Sequence, residues 1–231
     1  MISHDAEVVL DGFNKAYESA LANYEAASAL ANLNYFAQAT SLAVLALEEV
    51  GKMMLLDGLL FARTGDERYK RYKQGHLSHR MKLEAMELYP LFLHYLTTVD
   101  PRQNETHYKQ TMVIVFADLK AKQQKLADLL GEDFVFPHLD DLKQKGFYSH
   151  ETGGVLKANK EAIDHEVAKA VLELTWRVTD TLKFVLGRHL ENYKERFQSL
   201  REKVDEVSLK RVRKEATKIV TNIFELESEP P

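Results

Sequence analysis

The sequence predicts an all-α fold, and three observations carry that prediction. Only five prolines and ten glycines punctuate 231 residues, so breaks between regular elements are few. The stretches between them are rich in Ala, Leu, Glu, Lys and Gln, which are strong helix formers. Their apolar residues recur at helical spacing and not in the strict alternation of a half-buried strand.

Taken in order, a first helix is predicted over about Asp5 to Leu30, with Val9, Phe13, Ala16, Ala20, Tyr24 and Ala27 on one stripe. A second, about Tyr35 to Arg63, stops at Thr64-Gly65-Asp66. After a polar connection, a third runs from about Leu77 to Thr98 and is ended by Asp100-Pro101; Leu83, Met86, Leu91, Leu93 and Leu96 are its core candidates. Gln103 to Leu130 makes a fourth. Between Gly131 and Asn159 the pattern changes to Phe134-Val135-Phe136-Pro137, Lys145-Gly146-Phe147-Tyr148 and Gly153-Gly154, which reads as an ordered loop pinned by aromatic residues. A long helix from about Lys160 to Leu200 then carries Ile163, Val167, Val171, Leu174, Val178, Leu182 and Val185. The amphipathic, charge-rich segment from about Val204 to Leu226 is a last helix, and Glu227 to Pro231 reads as a frayed end.

The chain is long enough to bury a substantial core without staples. With no cysteine, disulfides, thiolate metal sites and cysteine nucleophiles are excluded, which fits a reducing cytoplasm. A net charge of −4 means that any nucleic-acid contact must come from a local patch. Met1 to Glu7 lacks a basic region followed by an apolar stretch, so no secretory leader is expected. No membrane span is expected either, because Glu48, Glu49, Lys52 and Asp57 interrupt the best apolar run.

That apolar run, Ala37 to Leu56, is the most informative stretch. Taking an unpaired carboxylate out of water costs several kcal/mol, so Glu48 and Glu49 need partners if this helix is buried. Lys52 lies four residues from Glu48 and three from Glu49, within reach of both on one surface. One lysine leaves one carboxylate over, and the missing cation must come from elsewhere in the fold. The segment Arg68 to Lys82 offers candidates: it holds Lys70, Arg71, Tyr72, Lys73, His76, His79, Arg80 and Lys82 and no acidic residue. Ser78 suits a helix N-cap, which puts His79 and Lys82 on one face of the following helix. They, or Arg80, could neutralise the leftover Glu48 or Glu49. An isolated basic run is ordinarily a solvated connection, but basic groups interleaved with aromatics also suit an RNA backbone with stacked bases.

Arg71 and His76 have the Arg-x4-6-His spacing of HEPN ribonucleases, in which an arginine holds a phosphate and a histidine does acid–base work on the ribose 2′-hydroxyl. Such chemistry needs no metal. Arg102 and His107 satisfy the same spacing in an ordinary helix start, so the spacing alone is a loose criterion. No histidine has Glu three residues before it, which removes the Glu-x-x-His pairs of di-iron bundles; His-Glu-x-x-His and phosphate-loop motifs are also absent. No metal and no cofactor is expected. His165-Glu166 and Arg188-His189 read as surface or packing residues, and Lys210 to Lys214, set among acidic residues, as a solvated face or oligomer contact.

Three pieces in order resemble the AbiV-type abortive infection proteins, a branch of the α-helical HEPN superfamily: Ala43-x-x-Ala46-x-Glu48-Glu49-x-Gly51-Lys52, His79-x-x-Lys82 and Gly146-Phe147-Tyr148. The resemblance spans roughly Ala6 to Leu190. It implies a HEPN-like antiparallel helical bundle over residues 1–190; residues 191–231 depart from the resemblance and are read separately as a C-terminal helical extension packed on the bundle or serving as an oligomer contact. It also implies a bacterial anti-phage protein that arrests growth or translation, commonly a homodimer with its groove at the two-fold interface. Residue by residue it marks Glu48, Glu49, Lys52, His79, Lys82 and Tyr148; Arg71 and His76 rest on spacing and charge.

Two functions compete. One is a cytoplasmic effector acting on RNA, with His79, His76, Arg71 and Lys82 as the chemical groups, Glu48, Glu49 and Lys52 orienting them, and Lys70, Tyr72, Lys73, Arg80 and Tyr148 binding RNA. The other is a non-catalytic protein that binds a phage protein or host translation component, with the charge cluster purely structural.

Overall fold

A computed structural model describes residues 6–61, 70, 73–98, 105–131, 133–148, 150–152, 155–157 and 163–186. Seven helices of eight residues or more occur among them: α1 (Ala6–Asn32), α2 (Phe36–Phe61), α3 (His79–Met86), α4 (Tyr89–Thr98), α5 (Thr106–Leu130), α6 (His138–Phe147) and α7 (His165–Leu186). Among the described residues the one sheet is an antiparallel pair of β1 (His150–Thr152) and β2 (Val155–Lys157), with Glu151 opposite Leu156. Apart from this strand pair, the described residues form an all-α fold. The expected extension over 191–231 lies outside the described residues.

Helix α2 is the axis of the bundle, packed on α1, α3, α6 and α7. Its sequence explains how it can be surrounded. Ala37, Ala39, Ala43 and Ala46 are fully buried with Val44, Leu47, Val50 and Met53, and the small residues let neighbouring helices come close. The buried hydroxyls of the same helix are satisfied locally: Thr40 donates to the Phe36 carbonyl at 2.9 Å, and Ser41 Oγ lies 2.8 Å from the Lys143 carbonyl of α6. The α1 stripe is buried as predicted at Val9, Phe13, Ala16, Ala20 and Ala27, with Tyr24 partly exposed, and the α7 stripe is buried throughout. Each fully buried Phe, Leu or Met side chain contributes about 1.5–3 kcal/mol.

Two expectations are corrected. The predicted third helix is two helices, broken at Glu87 and Leu88. Pro90 explains the break: its ring would clash with the carbonyl of residue 86 in a continuous helix, whereas in the first turn of α4 its missing N–H costs nothing. The break frees Glu87 Oε1 to accept from the Phe136 backbone N–H at 2.7 Å. Tyr89 beside it is buried and donates to the Val178 carbonyl at 2.9 Å, tying α4 to α7. The second correction concerns 131–159, read as loop. Phe136 is buried and packs edge-on against Phe134, as an aromatic pin should, but Pro137 then starts α6, with Asp140 and Asp141 in the first turn and Lys145 in the last, the order the helix dipole favours.

Two glycines set how closely α3 and α6 approach α2. A Cβ on Gly51 would lie 1.9 Å from the Lys82 carbonyl oxygen, and one on Gly146 would lie 2.3 Å from the Ala37 carbonyl oxygen and 2.1 Å from Ser41 Oγ. Both substitutions would drive backbone against backbone. Gly12 of α1 is different, since its nearest neighbour is the Leu56 Cδ1 methyl at 3.4 Å. By helix propensity alone, Ala would stabilise all three interior positions by about 0.5–1 kcal/mol. The packing reverses the sign at two of them: in urea unfolding, Gly51→Ala and Gly146→Ala are expected to lose about 2 kcal/mol, as over-packed positions do, while Gly12→Ala gains. A gain at Gly51 would show that α3 does not lie this close in solution.

Candidate functional site

The site grows from the two close approaches. Ser78 caps α3, its Oγ accepting from the Met81 N–H at 3.3 Å, so the helix begins at His79. Gly51 lets the backbone at Lys82 rest on α2. His79 Nδ1 then meets Glu48 Oε2 at 2.5 Å. From the other side, α6 brings Lys143 Nζ to Glu48 Oε1, also at 2.5 Å. Lys143 is further held by Asp140 Oδ1 at 2.6 Å, one turn back on its own helix.

The second carboxylate has its own partners. Lys52 Nζ lies 3.1 Å from Glu49 Oε2, and Lys82 Nζ lies 4.0 Å from Glu49 Oε1. The expected alternatives thus resolve: Lys52 serves Glu49, while Glu48 takes the imidazole and a lysine from the segment read as loop. Three carboxylates, Glu48, Glu49 and Asp140, face three ammonium groups, Lys52, Lys82 and Lys143, and the charge of His79 comes on top. Burial pulls the Lys143 ammonium toward its neutral form, but Asp140 and Glu48 together outweigh it and hold its pKa above the usual lysine value.

Exposure grades across the cluster. The Glu48 side chain is 1% exposed and Lys143 4%, whereas His79 is 59% exposed. A carboxylate that accepts in this contact does so from Nδ1–H, and in that tautomer Nε2 of a neutral ring is an acceptor. A fixed imidazole with one free nitrogen can take up and return a proton.

The other sequence-derived candidates fall elsewhere. Arg80 is mostly exposed and pairs with Glu84 at 3.0 Å, away from Glu48 and Glu49. His76 is half-buried on the turn before Ser78, and Lys70 and Lys73 are exposed. Gly75 anchors that turn, since a Cβ there would touch Met81 and Leu55 of α2. Arg71 and Tyr72, and Arg102 of the second spacing match, lie outside the described residues, as do Arg188, His189 and Lys210 to Lys214. Tyr148 is two-thirds exposed at the end of α6 whose Gly146 rests on Ala37. Ala37 precedes Glu48 by eleven residues, about 16 Å along α2, so Tyr148 is not part of the charge cluster. His165 packs edge-on against Phe36 at 4.4 Å, with Glu166 3.5 Å away, as a surface and packing residue. Sequence reasoning missed Lys143 and Asp140. The available signal was Pro137 as a helix start, which places Asp140, Lys143 and Gly146 at threefold spacing on one face.

Among the described residues no group of three or more His, Asp or Glu could hold a metal ion, and no helix is long and apolar enough to cross a membrane. The described residues form a helical bundle in which a carboxylate–imidazole pair lies where three helices meet, and the family model places the chain in the HEPN class of all-α proteins. The family model for AbiV matches residues 8–180, well over half of the chain, and the chain is a member of that abortive-infection branch of HEPN proteins. No curated protein and no solved structure matches it.

Breaking the buried pair has a defined cost. Glu48→Gln leaves Lys143 buried with Asp140 as its remaining anion, and is expected to lower unfolding stability by roughly 3 kcal/mol, the low end of the cost of orphaning a buried charge. The pH dependence has a sign as well. Because the folded-state pKa of Lys143 is raised, its stabilisation is fully present below pH 10.5 and is lost as pH rises through the folded value. The stability gap between wild type and Lys143→Met should therefore stay constant from neutral pH to about 10 and narrow above it, which denaturant melts at stepped pH would read directly.

Proposed function

We propose that this AbiV-family chain is a bacterial anti-phage abortive infection effector that acts on RNA as a metal-independent endoribonuclease, with His79 as its acid–base group. The observation that carries the reading is the contact between a buried carboxylate and a half-exposed imidazole, Glu48 Oε2 to His79 Nδ1 at 2.5 Å. A ring held this way can take the proton from a ribose 2′-hydroxyl as its oxygen attacks the adjacent phosphorus. It can then return that proton to the departing 5′-oxygen. The transition state gathers negative charge on the phosphoryl oxygens, and cations aimed at them lower its energy. Lys82 and Lys52 sit on Glu49, the residue next to Glu48, and Arg71 with His76 comes from the chain just before α3. Lys70, Tyr72, Lys73 and Arg80 would extend the contact along the RNA backbone, with Tyr148 as a more distant stacking residue. A homodimer, the arrangement the family resemblance implies, would line one groove with two such sites.

One observation favours the non-catalytic reading. Each lysine of the cluster already faces a carboxylate, Lys52 and Lys82 on Glu49 and Lys143 on Glu48 and Asp140, so the cluster is close to neutral. A neutral network needs no phosphate to complete it, and such a protein could act by sequestering a phage protein or a host translation factor.

Total cellular RNA incubated with the purified protein, in chelator and again with magnesium, separates the two. Cleavage in chelator is expected, with His79→Ala reducing it at least about 100-fold and Glu48→Gln reducing it to a smaller degree. If RNA stays intact under both conditions while the protein still arrests growth in cells, sequestration becomes the better account.

A further inference from the structure

The charges behind His79 form a chain. Glu48, 1% exposed, needs a positive charge beside it, and two groups compete to supply it: Lys143 on Oε1 and the imidazole on Oε2, each at 2.5 Å. Lys143 is itself divided, since Asp140 lies 2.6 Å from the same ammonium group. Asp140, Lys143 and Glu48 together carry one net negative charge, and His79 is the group that can cancel it or not. We infer that Lys143 and Asp140 are positioning residues that set the protonation of His79 through Glu48, in opposite directions.

The physical reason is counter-ion bookkeeping in a buried place. With Lys143 as a permanent cation on Glu48, His79 can become neutral without leaving a buried carboxylate unpaired. Asp140 draws on that cation and so returns part of the demand to the imidazole. The remaining charged groups near the ring are occupied. From α2, Glu49 and Lys52 pair at 3.1 Å; on α3, Arg80 is taken by Glu84 and Lys82 faces Glu49. His76 lies on the preceding turn, and α6 contributes Lys143 and Asp140 to this cluster. The role of this chain in catalysis rests on the proposal that His79 is the acid–base group; the electrostatic chain itself rests on the contacts.

The test is an NMR titration of the His79 ring in the full-length protein, assigned by comparison with His79→Ala, for wild type, Lys143→Met and Asp140→Asn. Removing the cation should move the ring's titration midpoint up by about one pH unit, a roughly tenfold tighter proton, and removing the anion should move it down by up to the same amount. The limb of any RNA-cleavage pH profile governed by His79 should move with it. Midpoints that stay at the wild-type value, or that move in one common direction, overturn the inference, because a merely structural ion pair would change stability and leave the ring's titration alone. If Lys143→Met does not fold, Asp140→Asn decides by itself: its carboxylate is 36% exposed, so its loss is tolerable, and only a downward movement supports the chain. The two proposals fail separately. Opposite shifts with full activity in His79→Ala would end the ribonuclease reading and keep the chain; a ring that does not move, with His79→Ala inactive, would do the reverse.

Discussion

The structure depends on one constraint: the carboxylate of Glu48 sits at the centre of the bundle and must be neutralised there. An isolated charge in such a place costs several kcal/mol, so α2 could not be surrounded on its present faces without partners for it. Those partners arrive from two separate helices. His79 heads α3 and Lys143 lies mid-way along α6, ninety-five residues from Glu48 in the chain. Neutralising one carboxylate therefore fastens three helices together, and it does so at a single defined register of α3 and α6 along α2.

Charge complementarity alone would not hold that register, because lysine is long and adaptable. The glycines supply the missing precision. At Gly51 and Gly146 the neighbouring backbone occupies the space of a Cβ, so α3 and α6 lie against α2 more closely than side-chain packing would allow. Ser41 completes the α6 contact by hydrogen bonding to the Lys143 carbonyl, which fixes the backbone of the residue whose ammonium group reaches Glu48. Apolar burial supplies most of the stability; the glycines and the charge network decide which arrangement that stability selects.

The same arrangement separates the cluster into an inner and an outer part. Glu48 and Lys143 are closed to solvent, whereas the imidazole that Glu48 orients is more than half exposed. A network whose sole purpose was to neutralise Glu48 could have ended with Lys143 and Asp140. That it continues to a solvent-facing histidine is the feature on which the proposed acid–base role of His79 rests.

Much of this was legible in the chain. Helical periodicity revealed the all-α class and the buried stripes of α1 and α7, because an amphipathic stripe is a local pattern. The interrupted apolar run announced that Glu48 and Glu49 needed partners, and the N-cap at Ser78 placed His79 and Lys82 on one face. Pro90 and Pro137 were also there to be read, as a helix break and a helix start, and were outweighed by the apolar spacing around the first and the turn residues around the second. What only the tertiary structure decided was pairing. Sequence spacing allowed Lys52 to serve either carboxylate and offered three groups for the one left over; the approach of α3 at Gly51 chose His79 for Glu48, and that of α6 at Gly146 added Lys143 and Asp140. Local pattern determines which residues can be helical and buried, but which charge meets which across ninety residues is set by how closely two backbones can lie.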